Sequence, residues 1–175
     1  MSQAFFETSG SLHWTVATVV RLVNCQIWCA QYLQHVFLLA VRAYWGWQFF
    51  LTGKGKLLNL DRTAQFFASL EIPLPTVNAV LAGGIECIGG LLLLGGLASR
   101  LIGVPLCFTM IVAYVTAHRS ELLAAFSNPE GFLAAPPFLF LMASMSVALF
   151  GPGAVSIDAG IRRAYSRNTQ NTSST

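Results

Sequence analysis

The sequence predicts an all-α membrane protein, a four-transmembrane-helix bundle preceded by an N-terminal interfacial amphipathic helix. Three observations point there. Of 175 residues, 55% are hydrophobic and 10% charged, with a mean hydropathy of +0.63, whereas a soluble domain carries about 25% charge. Four apolar segments, near residues 35–53, 78–98, 101–118 and 132–150, approach the roughly 20 residues that a bilayer crossing needs at about 1.5 Å per residue. Finally, a carboxylate, Glu86, interrupts the glycine-rich apolar run of residues 81–98. Such a group at bilayer depth costs about 3 kcal/mol on insertion scales, so it faces a bundle interior and takes a partner.

Residues 1–34 form an extension to this bundle. Leu12, Val16, Val19, Val20, Val23 and Ile27 gather on one helical face, away from His13, Arg21 and Asn24. With Trp14 and Trp28 beside them, they predict an interfacial helix rather than a fifth span. The start lacks a basic region and its apolar stretch is broken by Arg21, so no cleavable signal is expected.

Residues 35–160 hold the four spans. Between the first two, Asp61 is the expected N-cap of a short helix carrying Phe66, Phe67 and Leu70, which Pro73 and Pro75 then stop. Ser99 and Arg100 separate the second and third spans by a tight turn, which makes them an antiparallel hairpin. Asn128-Pro129-Glu130-Gly131 is a turn before the fourth span, and Pro105 and Pro136-Pro137 predict kinks. Gly151-Pro152-Gly153 ends the fourth span, and Ser156 or Asp158 is the candidate cap of a short basic helix. Residues 161–175 form a polar tail, expected to be disordered from Ser166 onward.

Arginine and lysine near the span ends divide five against four, with Arg21, Arg100, Arg162, Arg163 and Arg167 opposed to Lys54, Lys56, Arg62 and Arg119. The excess places both termini in the cytoplasm. The net charge of +3 is small and dispersed, and argues against nucleic-acid binding.

The candidate site is a constellation of charges within the spans. Gly83, Glu86 and Gly90 share one helical face, and Arg42, Gly46, Phe49, Gly53 and Lys56 form a stripe on the first span. Packing these two faces offers Glu86 two partners, Arg42 and Lys56. Arg42 is preferred, because guanidinium tolerates burial and pairs bidentately with carboxylate. Cys107, Ile111, Tyr114 and His118 fall on one face of the third span, making Tyr114 and His118 secondary candidates together with Arg100. A pure register lock between Arg42 and Glu86 competes with a functional role. Cys25 and Cys29 are spaced i, i+4 and no histidine completes a ligand set, so neither a metal site nor thiol chemistry is expected.

The Gly53–Lys56 ending of the first stripe, the Ile72-Pro73-Leu74-Pro75 lead-in and the Glu86-x-x-Gly-Gly core resemble the DoxX family of small four-span membrane proteins. So do the turn Leu94-Gly95-Gly96-Leu97-Ala98-Ser99-Arg100 and the ending Gly151-Pro152-Gly153-x-x-Ser156-x-Asp158. The resemblance spans roughly residues 36–160, and Arg42, Lys56, Glu86, Arg100 and Asp158 match its motif positions. It implies a multi-pass protein of the bacterial inner membrane, named for a subunit of a thiosulfate:quinone oxidoreductase. The function so implied is a subunit of, or accessory to, a quinone-linked or sulfur-linked redox complex. Catalysis would then belong to the complex and not to this chain alone. The implied partners are lipid bilayer, membrane or peripheral redox proteins and further copies of the chain. Quinone is the implied cofactor class, with no covalently bound group expected. The competing reading is a non-enzymatic small-solute carrier or assembly factor with a structural Arg–Glu lock.

Overall fold

The computed structural model describes the backbone of residues 3–153 and 155–172, and the side chains of residues 19–153 and 155–166. The described residues form helices and turns, with no strand among them. In chain order the helices are α1 (Gln3–Leu58), α2 (Leu60–Ser69), α3 (Pro75–Gly95), α4 (Ser99–Thr116), α5 (Arg119–Leu123), α6 (Pro129–Ala134), α7 (Pro136–Phe150) and α8 (Ile157–Thr172). The chain divides into two compact units, Met1–Phe37 and Leu38–Thr175.

In the first unit the backbone is α1 helix from Gln3 onward, and every described side chain from Val19 to Phe37 is exposed. Helix α1 runs without a break through the expected amphipathic segment. Leu12, His13, Trp14 and Val16, part of that reading, lie outside the described side chains. Trp28 and Tyr32, one turn apart, stack with ring centroids 6.3 Å apart.

The second unit is built on close helix contacts at small residues. A Cβ on Gly46 would stand 2.9 Å from the Leu94 backbone nitrogen, and one on Gly53 would collide with the backbone of Cys87. Gly90 in turn lies against the backbone of Phe50. The register therefore runs Gly46 opposite Gly90–Leu94 and Gly53 opposite Gly83–Cys87, an antiparallel crossing of α1 and α3. The expected packing of the two stripes is thus what the backbones do. On α4, Gly103 meets Ser144 and Ala148 of α7 in the same way. Phe49, Leu93, Leu106, Met110 and Val147 close the core, and Phe140 sets its ring edge-on to Phe49 at 4.8 Å and to Trp45 at 4.9 Å.

Helices α3 and α4 are long and apolar enough to cross a membrane, yet only a third of each apolar stretch is buried within the protein. The remainder, including Val80, Ile88 and Leu91 on α3 and Leu101, Val104 and Phe108 on α4, is exposed. A surface of this kind is tolerated in lipid and is a liability in water.

Several boundaries differ from the sequence reading, each for a local reason. The turn between α3 and α4 is Gly96-Leu97-Ala98, with Gly96 at φ +69°, and Ser99 and Arg100 already belong to α4. Asn59 precedes α2 and Asp61 lies in its first turn, where a carboxylate still favours the helix dipole, so Asp61 is not the N-cap. The fourth apolar segment is two helices. Ahead of Pro136, Ala135 is extended at ψ 132°, as the residue before a proline prefers, and this separates α6 from α7. Asn128 caps α6 by accepting from Gly131 N at 3.2 Å. Helix α8 continues through Thr172, with Ser166 Oγ donating back to Arg162 O at 2.9 Å; residues 173–175 of the polar tail lie outside the described set.

Candidate functional site

Glu86 is 1% exposed, and Lys56 Nζ stands 2.5 Å from its Oε1. The preference for Arg42 as its partner is therefore corrected. The register of the α1–α3 crossing explains why. Gly53 stands opposite Gly83 and Cys87, so Glu86 falls within one turn of Lys56, whereas Arg42 lies beyond Gly46 at the other end of α3. Arg42 and Glu86 are therefore not locked to each other.

Arg42 instead closes the opposite end of the helices. Arg42 is 2% exposed, and its guanidinium donates through Nε to Leu93 O at 3.1 Å, through Nη1 to Pro152 O, and through Nη2 to Val155 O at 3.1 Å. A cation on the last carbonyls of α3 is well placed for that helix's dipole. Beside it, the Asp158 carboxylate accepts from Ala98 N at 2.9 Å and Ser99 N at 3.2 Å, capping α4, and Asp158 N donates to Gly96 O at 3.1 Å. Ser156, not Asp158, caps its own helix, with Oγ accepting from Ala159 N at 3.1 Å. Arg100 packs against Gly151 at this same end. Arg42, Ser156 and Asp158 are thus engaged with backbone groups.

The Lys56–Glu86 end has a cavity of about 1050 Å³, bounded by the end of α1, α2 and the faces of α3 and α4. Lys56 and Glu86 belong to its lining, as do the apolar Phe66, Phe67, Leu81, Ile85, Phe108 and Val112. Lys56 keeps 32% of its side chain exposed and so carries the buried charge pair toward the cavity. Glu86 Oε2 has no hydrogen-bond partner among the described residues, although it is buried. The turn from Glu71 to Leu74 forms one wall. Glu71 and Leu74 adopt φ +58° and +46°, and Asn78 Nδ2 holds the turn by donating to Pro73 O at 2.6 Å. Strained backbone of this sort collects where the surrounding structure holds a binding surface.

Of the secondary candidates, His118 lines this cavity and the other two do not. Tyr114 is buried, donates to Phe132 O at 2.9 Å and stacks on that ring, which ties α4 to α6. The expected common face of α4 is divided. Cys107 faces α7, its Sγ 3.1 Å from Ser144 Oγ, while Ile111 is exposed. The face turned to the cavity carries Phe108, Thr109, Val112 and Thr116 instead. At the rim, His118 Nδ1 is 3.8 Å from Glu121, and the Ser120 hydroxyl, donating at 2.7 Å, holds the Glu121 carboxyl below its ordinary range. Asn59, Arg62, Thr63 and Asn78 also line the cavity. The sequence marks them only as the polar members of a connection otherwise lined by phenylalanines. No group of three or more potential metal ligands occurs among the described residues.

The DoxX family profile matches residues 37–119, the stretch that contains Arg42, Lys56 and Glu86. A Bacillus subtilis (strain 168) protein named "Putative oxidoreductase CatD" is 36% identical over 120 residues, 69% of this chain and 83% of its own. The chain belongs to the DoxX family. A second relative, "Inner membrane protein YphA" of Escherichia coli (strain K12), is 28% identical over 111 residues, 63% of this chain and 79% of its own. No solved structure matches the chain significantly. DoxX membership agrees with the exposed apolar faces of α3 and α4, and the protein is a membrane protein. The profile ends at residue 119, so the clasp made by Asp158 lies beyond it.

Proposed function

We propose that this DoxX protein is a four-span subunit of a membrane redox complex, and that it binds a quinone-class ligand in the cavity above Lys56 and Glu86. The spans are the second unit's part of α1, then α3, α4 and the broken pair α6–α7, with both termini cytoplasmic. The N-terminal segment is an amphipathic element whose Val19, Val23 and Ile27 meet lipid at the interface.

The observation that carries this reading is a buried carboxylate with one unpartnered oxygen, paired to a lysine in the lining of a cavity of about 1050 Å³. Ionisable groups at this depth mark binding sites or ion paths. The pair and its surroundings fit a quinone. Lys56 can donate to a ring oxygen, Glu86 Oε2 can take a hydrogen bond or a proton, and Phe66, Phe67, Phe108 and Leu81 supply aromatic and aliphatic wall. Bound quinone supplies two-electron, two-proton redox chemistry; the chain itself holds the ring oxygens. The relative's name as an oxidoreductase supports the same direction.

The test is purification of the protein with its partners from native membrane. The complex is expected to show quinone-dependent oxidation of a donor, and Glu86→Gln to lower that rate at least tenfold while the complex still assembles. A complex without quinone-dependent turnover overturns the redox reading. Solute uptake into proteoliposomes that Glu86→Gln abolishes would replace it with the carrier.

A further inference from the structure

We infer that the Lys56–Glu86 pair selects a hydroxyl-headed ligand, so that the cavity binds the reduced, quinol form of its ligand in preference to the oxidised form. This rests on the quinone reading above and names which redox form the site is built to hold.

The argument begins with hydrogen-bond supply and demand. Glu86 Oε1 is engaged by Lys56 Nζ, whereas Oε2 is buried and without a partner among the described residues. An ionised carboxylate can only accept, so Oε2 requires a donor. Leaving it bare carries a desolvation penalty, larger for a charged group than for a neutral one. A second cation is not the natural answer, because Lys56 already balances the single negative charge. A neutral O–H is.

Lys56 sharpens the choice. Its ammonium has three N–H bonds, and Glu86 is its one acceptor among the described residues. A hydroxyl group that reaches the pair from the cavity can accept from Nζ and donate to the carboxylate. A quinone carbonyl can accept from Nζ but leaves Oε2 unsatisfied.

The cavity wall leans the same way. Four lining threonines give their hydroxyl hydrogens back to helix carbonyls: Thr52 to Gln48 O or Phe49 O, Thr63 to Lys56 O or Asn59 O, Thr109 to Leu106 O, and Thr116 to Val112 O. What these side chains have left to offer is lone pairs. The threonines therefore add acceptors beside Glu86, while Arg62 and the amides of Asn59 and Asn78 line the same cavity, and a ligand bearing hydroxyl groups, which both donate and accept, matches this mixed wall better than one bearing only carbonyls.

The test compares three probes on the full-length protein in detergent, under anaerobic conditions: a short-chain benzoquinone, its hydroquinone and the hydroquinone dimethyl ether. Affinities are measured by equilibrium dialysis and corrected for partition into micelles. The hydroquinone is expected to bind at least tenfold more tightly than either of the others. In Glu86→Gln the advantage should fall to within about threefold, because the amide can donate to the carbonyl of the quinone. The dimethyl ether, which keeps the ring and puts a methyl group in place of each donor hydrogen, makes the comparison on the unaltered protein and so does not depend on the variant folding. Equal or tighter binding of the benzoquinone overturns this inference and leaves the quinone reading in place. Failure of all three probes to bind overturns both.

Discussion

At the scale of single residues, the charge pair is asymmetric, and the asymmetry has a measurable consequence. Glu86 is 1% exposed and Lys56 32%. Lys56→Met strands a carboxylate in the interior, which costs about 3 kcal/mol, the low end for breaking a buried pair because Lys56 is itself partly exposed. Glu86→Gln leaves a lysine whose long side chain can turn to the cavity and stay solvated, so it costs less. Thermal unfolding in detergent should rank Lys56→Met below Glu86→Gln, with the double variant regaining part of the Lys56→Met loss. Equal losses in the two single variants would contradict the arrangement. The direction of Glu86 is legible in the sequence, because Gly83 and Gly90 on its face let a neighbouring helix come close. Its partner is not legible. Arg42 and Lys56 lie on the same stripe, and preferring arginine on its tolerance of burial ignores the crossing register that places them at opposite ends of α3.

At the scale of the helices, what joins α1 to α3 is backbone contact. Adding one methyl group at Gly53 drives a Cβ into the backbone of Cys87, and backbone cannot yield as a flexible side chain would. Gly53→Ala should cost about 1–3 kcal/mol and separate the helices enough to loosen the Lys56–Glu86 pair one turn away. Gly84 provides the control. It lies on the same helix as Gly83, and a Cβ there meets nothing within 4 Å, so Gly84→Ala should be neutral or stabilise by about 0.5–1 kcal/mol. Comparable effects of the two substitutions would show that the close approach at Gly53 does not set the contact between the helices. The proline-marked boundaries are legible where proline acts on its own segment, as at Pro75 and Pro136. The role of Asp158 is not, because capping α4 depends on a carboxylate that returns from 60 residues later in the chain. Only the fold brings the two together, and the sequence offers Asp158 a nearer helix that Ser156 in fact caps.

At the scale of the whole molecule, the two ends of the second unit have different chemistry. At one end Arg42 and Asp158 are consumed by backbone groups of the α3–α4 turn and the segment after α7, which fastens that end shut. At the other end Lys56 and Glu86 meet a cavity. On the proposed redox reading, the orientation of these two ends decides which partners can reach the cavity. The proposed topology puts the loop between α5 and α6 outside and α8 inside. In a background with the four cysteines replaced, Ser127→Cys and Ser166→Cys are both exposed reporters. In right-side-out membrane vesicles, a membrane-impermeant maleimide should label Ser127→Cys and leave Ser166→Cys untouched until the vesicles are opened. Inverted vesicles should show the reverse. Labelling of both positions from one face would mean that α7 and its preceding half-helix do not cross together, and the four-span reading would fall. Labelling exchanged between the two faces would keep the four spans but turn the cavity toward the cytoplasm, where a soluble donor could deliver electrons directly to the ligand above Lys56 and Glu86.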